Sequence, residues 1–330
     1  MPTSTLSPYL VTEHLIPNND GWLLHARQVV HAQNLDKNKR PLVILPGYGM
    51  NAHIFSFHAR GDSMERVFSE AGYEVWSVNL RWQGDSKAIS RKPIPPTFRE
   101  LVDNDVPAVL DHILSATRTD AKRVTLVGCS LGGTLAYAYM ATSSEDRVGG
   151  LVAMGSPLRW VRAPWALRVL TRSPQLLRYV PTYGSQRAAK FGFPILAKIP
   201  NSLSFYVNPS NVDLTKIPEL VKSISDPHPH LNENIGRWIQ NLDLVMRGVN
   251  VTHELRTMTK PLLVVWSGRD AIVPSQTARS ALDAWGEGDQ VTEFEVGATG
   301  RWYGHADLFI GNDAKEDVFI PILQWLSEHP

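Results

Sequence analysis

Short β-branched and aliphatic runs recur along this chain, separated by stretches whose apolar residues fall at helical spacing. RPLVILPGYG (40–49) reads as a buried strand entering a glycine-rich turn, and YEVWSVNL (73–80) as a second strand. From 97 to 118, Leu101, Val102, Val106, Val109, Leu110, Ile113 and Leu114 line one face of a helix, with Thr97 and Glu100 as its capping box. RVTLVG (123–128), GGLVAMGS (149–156), KPLLVVWSG (260–268) and QVTEFEV (290–296) supply four more strands. TLAYAYMATS follows the first of these as a helix. Near-continuous apolar strands alternating with helices predict an α/β architecture, a mostly parallel central sheet flanked by helices. Residues 1–31 add two antiparallel strands joined at Asn19-Asp20-Gly21, a turn sequence.

The alternation breaks between 158 and 250. Prolines, scattered aromatics and helix-like patterns replace it, and the charge is skewed. From Leu158 to Val212 there is no acid, against eight bases: Arg159, Arg162, Arg168, Arg172, Arg178, Arg187, Lys190 and Lys198. The expected organisation is therefore a core of 1–157 and 251–330, with 158–250 inserted as a helical lid. The basic run suits a solvated face, an anionic substrate or an anionic membrane surface.

Composition narrows the class without choosing a function. The 330 residues are 43% hydrophobic with net charge +1, which gives no general reason to expect nucleic acid as a partner. A single cysteine, Cys129, precludes an intramolecular disulfide and fits a reducing compartment. With no basic start followed by an apolar run, and no apolar stretch approaching the ~20 residues of a bilayer span, the expected location is cytoplasmic.

Candidate chemistry begins at LVGCSLGG (126–133), where Gly128-Cys129-Ser130-Leu131-Gly132 fits G-x-S-x-G. A chance match arises in roughly one chain of this length in ten, so the motif alone decides little. Its setting decides more, because a strand precedes it and a helix follows. Such a turn lifts its central residue, Ser130, above the sheet edge and aims a helix N-terminus at any oxyanion formed there. Cys129, one place earlier, is expected to pack beneath.

A serine nucleophile needs a base, and the base needs an orienting acid. In chain order Ser, Asp, His, the acid should follow a late strand. Asp270, in Ser267-Gly268-Arg269-Asp270, stands at such a strand end, and His305 lies in the Gly-flanked loop Gly304-His305-Ala306 after the last strand. The backbone N–H groups of Leu131 and of Tyr48, in Pro46-Gly47-Tyr48-Gly49, are the expected oxyanion donors. His228 and His230 (SDPHPH) lack further ligands at clear spacing and read as lid-loop residues rather than a metal pair. No cofactor or metal is implied.

Together these residues resemble the α/β-hydrolase fold superfamily, over about 40–157 and 251–330 but not over the insertion. GYEVWSVNLRWQGDS is similar to the D-x-R-G-x-G-x-S strand and loop of many members, and SGRDAIVP to their acid loop. GHADLFIGNDAKEDVFIPILQWL resembles the histidine loop and last helix of lipase-like and polyhydroxyalkanoate synthase-like members. The resemblance implies an α/β-hydrolase fold, with Ser130 as nucleophile, Asp270 as acid and His305 as base. It departs at Pro46-Gly47, where many members carry His-Gly, and at Ser130, where polyester synthases carry Cys and dehalogenases and epoxide hydrolases carry Asp.

The expected function is serine hydrolysis of a small-molecule carboxylic ester with an apolar part, lipid-like esters and thioesters included, through an acyl-enzyme. An acyltransferase or lyase using the same triad, and a non-catalytic ligand-binding protein on the same scaffold, are the alternatives.

Overall fold

The computed structural model describes residues 7–180, 182–196, 198–199, 201–286, 290–298 and 300–330. Its strands, in chain order, are β1 (Tyr9–Pro17), β2 (Trp22–His31), β3 (Leu42–Leu45), β4 (Val75–Asn79), β5 (Lys87–Ala88), β6 (Val124–Cys129), β7 (Val148–Met154), the short hairpin β8 (Val245–Met246) and β9 (Val249–Asn250), β10 (Leu262–Ser267) and β11 (Val291–Val296). The main sheet runs β1-β2-β4-β3-β6-β7-β10-β11, with β5 pairing β2. β1 and β2 are antiparallel, β2 meets β4 antiparallel, and every pair from β4 to β11 is parallel.

The parallel strands are buried on both faces, which is why they read as continuous apolar runs. Alternate residues of β10 feed opposite cores: Leu262 and Val264 join one cluster, Leu263 and Val265 the other. Helices α1 (Met64–Glu70), α2 (Val106–Ala116), α3 (Leu131–Thr142) and α7 (Ile320–Glu328) cover the sheet. Leu110 and Leu135 lie in the first cluster, Phe68 and Ile322 in the second, so the helices flank both faces.

The Thr97 capping box does not form. Thr97 gives its hydroxyl to the Glu100 carboxylate, and no side chain caps the backbone there. A wide π turn, Leu101–Asp105, follows and brings Asp105 inward onto the fully buried Arg81. Arg81 also bonds Asp20 in the β1–β2 turn, so one buried cation fixes the loop after β4 to two other elements.

Between β7 and β10 the chain leaves the sheet. It forms α4 (Trp165–Leu170), α5 (Ser185–Leu196), α6 (Pro229–Asn241) and the β8–β9 hairpin, with shorter turns between. α4 and α5 contain no buried residue, whereas α6 buries Trp238 and Ile239 in the first core cluster.

Candidate active site

Ser130 joins β6 to α3 with φ 54° and ψ −121°, a conformation costly for a residue with a Cβ. Close packing makes the sharp bend obligatory. A Cβ on Gly132 would lie 2.1 Å from the Leu45 carbonyl oxygen, and one on Gly128 would lie 2.3 Å from Gly133 Cα. The glycines let the strand, the neighbouring loop and the helix approach this closely, and the bend leaves Ser130 partly exposed. Cys129 points into the second core cluster, fully buried, and desolvation pushes its thiol well above the ordinary range. It has no thiolate to offer as a nucleophile.

His305 and Asp270 meet at the carboxyl end of the sheet, with His305 Nδ1 2.6 Å from Asp270 Oδ2 and both side chains almost wholly buried. The other Asp270 oxygen, Oδ1, accepts the Ile272 and Val273 N–H groups at 2.8 Å each. With Nδ1–H donating to the carboxylate, Nε2 is left as an acceptor, the tautomer a general base requires. Ser130 N–H donates to Met154 O (2.8 Å), and the His305 ring lies against Gly155, the next residue. Serine and histidine thus share the end of β7. Among the described residues no hydrogen bond joins Ser130 Oγ to His305; contacts of this kind tighten when substrate fills the site.

Gly47 packs against Ser130, where a Cβ would fall 2.8 Å from Ser130 Cβ. Its carbonyl accepts from Gln83 Nε2 (3.2 Å), in the loop that Arg81 anchors. This contact turns the Gly47–Tyr48 peptide so that its carbonyl is engaged by the protein. The Tyr48 hydroxyl reaches Asn232 Oδ1 on α6 at 2.6 Å. Leu131 is the first residue of α3, so its N–H has no acceptor within the helix.

Several residues around this site carry no local sequence signal. Ser225 N donates to Gly49 O (3.0 Å) and Asn51 N to Ser223 O (2.8 Å), a short antiparallel bridge between 223–225 and the Gly47–Asn51 loop. Asn51 Nδ2 adds a bond to Lys222 O (3.0 Å). On the other side, Tyr206 O accepts the Ala306 N–H (3.0 Å) and Asn208 Nδ2 donates to Trp302 O (2.8 Å). Asp307, fully buried, accepts from Gly304 N (2.6 Å) and Asn208 N (2.7 Å) through one oxygen, while Oδ1 has no partner among the described residues. Burial, with the nearby Asp270 charge adding to it, pushes the Asp307 carboxyl up to about 7. Its place two residues after His305 was the only clue available in the sequence. Burial also pushes the Tyr206 hydroxyl up to about 12, so it stays neutral above His305.

His228 Nδ1 accepts the His230 N–H, and the His228 ring lies edge-on to Trp82. Desolvation depresses His228 to about 4, which keeps it neutral. Two small apolar cavities border the site. One, about 30 Å³, is lined by Tyr48, Leu101, Leu131, Leu135 and Leu231; the other, about 50 Å³, lies under Tyr206 among Phe193, Leu203 and Leu220. A larger cavity of about 980 Å³, lined by Glu13, Arg27, His53 and Lys222, also reaches Asn51 and Ser225 of the bridge; like the two small ones, it is not lined by Ser130, Asp270 or His305.

Residues 40–303 match the model of the α/β-hydrolase fold family, so the chain belongs to that family. Within it the chain is lipase- and esterase-like. It is 22% identical to a probable lipase of Schizosaccharomyces pombe over 97% of this chain and 78% of that protein. It is 27% identical to a 2-hydroxy-6-oxononadienedioate/2-hydroxy-6-oxononatrienedioate hydrolase of Paraburkholderia phymatum, over 85% of this chain and 88% of that one. The solved structure of an esterase from Exiguobacterium antarcticum superposes with a TM-score of 0.58 at 18% identity, covering 96% of this chain and all of that one. No helix of the described residues is long and apolar enough to cross a membrane.

Proposed function

We propose that this chain is a serine esterase that cleaves small carboxylic esters with an apolar part. The observation that carries the reading is the buried His305–Asp270 pair beside a serine at a strained strand-to-helix turn. His305 Nε2 takes the Ser130 proton as Oγ attacks the ester carbonyl. Asp270, fixed by two backbone N–H groups, stabilises the imidazolium that results. The N–H groups of Leu131 and Tyr48 receive the oxyanion at the N-terminus of α3. His305 then protonates the leaving alcohol, and water activated by the same nitrogen releases the acid from Ser130.

Residues 158–250 act as a lid in this reading. Two observations support it: the bonds of 206–208 to the histidine loop, and the bridge of 223–225 to the oxyanion loop. The two small cavities favour apolar groups, and both are far below the 300–1,000 Å³ typical of ligand pockets.

A fluorophosphonate probe should label the wild-type chain and leave Ser130→Ala unlabelled. Hydrolysis of p-nitrophenyl esters of graded acyl length then ranks the substrates. An unlabelled, inactive wild type would remove the esterase reading, and transfer of the acyl group to an added alcohol or thiol in preference to water would make the chain an acyltransferase.

A further inference from the structure

We propose that residues 161–199 dock this chain on the surface of a lipid bilayer rich in anionic headgroups. The first observation is where the exposed apolar side chains fall. Among the described residues, eleven of the twenty-one large exposed hydrophobics lie between 161 and 199, less than an eighth of the chain. Trp165 and Tyr179 are 79% exposed and Phe191 is 73% exposed. Single exposed apolar residues are ordinary, but a concentration of this kind marks a surface that meets something apolar.

The second observation is charge, and it identifies the partner. The same stretch has no acidic residue. Among the described residues, Arg162, Arg168, Arg172, Arg187, Lys190 and Lys198 are exposed and form no ion pair. Bases and apolar groups are interleaved in each helix. Trp165 and Val169 stand one turn apart on α4, with Arg168 between them and Arg172 just past the helix end. On α5, Arg187, Phe191 and Ile195 follow each other at four-residue steps, with Lys190 adjacent. Aromatic side chains that settle at headgroup depth, beside lysine and arginine that attract anionic lipid, are the chemistry of a helix lying in a membrane interface.

A solvated face would carry the bases without the tryptophan and phenylalanine. A second copy of the chain is disfavoured because an isologous contact would set bases against bases with no acid between them. The proposal does not depend on the esterase reading, since docking requires no turnover.

The test uses the full chain as Ser130→Ala, sedimented with vesicles of phosphatidylcholine alone or mixed with phosphatidylglycerol. Binding should appear only with the mixture and fade as salt is raised. Neutralising one exposed base should lower the partition about fivefold at low salt, and Arg187→Glu with Lys190→Glu should lower it further. Trp165→Ser with Phe191→Ser should remove what binding survives added salt. If that variant does not fold, quenching of Trp165 fluorescence by brominated lipid, compared with Trp165→Phe, reads the same contact. The proposal is overturned by absence of binding to both vesicles, by equal binding to both, by charge reversal without effect, or by a dimer that the serine variant dissociates.

Discussion

Two parts of the segment between β7 and β10 are built on opposite terms. From about 201 to 250 it is stitched to the core: Tyr206 and Asn208 hold the His305 loop, Ser223–Ser225 hold the Gly47–Asn51 loop, and Trp238 is buried in the main core. From 161 to 199 it turns Trp165, Tyr179 and Phe191 outward among bases of which, among the described residues, Arg178 alone is paired, with Glu233. The inner part spends its polar groups on positioning, and the outer part leaves its apolar groups unspent. Proximity in sequence therefore says little about role here; the partner of each stretch does.

The contrast predicts a descending order of effects. The largest lies at the site the inner part surrounds: Asp270→Asn keeps the shape but gives His305 the wrong tautomer, and kcat should fall about 10⁴-fold with little change in melting temperature. If kcat hardly moves, Asp270 is not the orienting acid.

Next comes the tie itself. Asn51→Ala frees the Lys222 carbonyl and loosens the bridge beside Tyr48. A cost of about 1–3 kcal/mol in stability is expected from the broken buried bonds. A mere stability defect would stop there. A positioning role predicts in addition that kcat on a short p-nitrophenyl ester falls more than KM rises, measured well below the melting temperature.

A smaller, pH-dependent effect belongs to Asp307. Its carboxyl is raised to about 7 in the folded chain, against about 3.9 when unfolded. Between these values the native state holds more protons than the unfolded one, so the contribution of this group falls as pH rises from about 4 to about 7 and is level above. Asp307→Asn imitates the protonated carboxyl. It should stabilise the chain at about pH 8 by roughly 1–3 kcal/mol and change little at about pH 4, read by urea denaturation at both. Equal effects at the two values would mean that Asp307 is already ionised.

The smallest effect belongs to the outer part. Trp165→Ser or Leu176→Ser removes a side chain that packs on little, so stability should change by no more than about 0.5 kcal/mol. A loss of several kcal/mol would show that these residues are covered in solution, and the contrast between the two parts would fail.

Much of the core was legible in advance, because strand burial and helix spacing are local patterns. The six parallel strands appear within two residues of their expected bounds, apart from the end of β3, and the β1–β2 turn falls at Asn19–Gly21. The Ser130 bend was legible too, since only glycine fits where Leu45 and Gly133 crowd it. The Thr97 cap was misread because its hydroxyl had a competing carboxylate in reach.

What the chain's order of residues determined alone is the sheet, the strained serine at its edge, and an aspartate and a histidine on later loops in the order this chemistry needs. Tertiary structure decided the rest. It brought Asp270 to 2.6 Å from His305, joined Asn208 to Asp307 across 99 residues, and tied Asn51 to Ser225 across 174. The physical reason is range. Backbone conformation and burial repeat with the period of a strand or helix and so mark the local sequence, whereas a hydrogen bond between distant loops depends on where the whole sheet carries them and leaves no periodic trace.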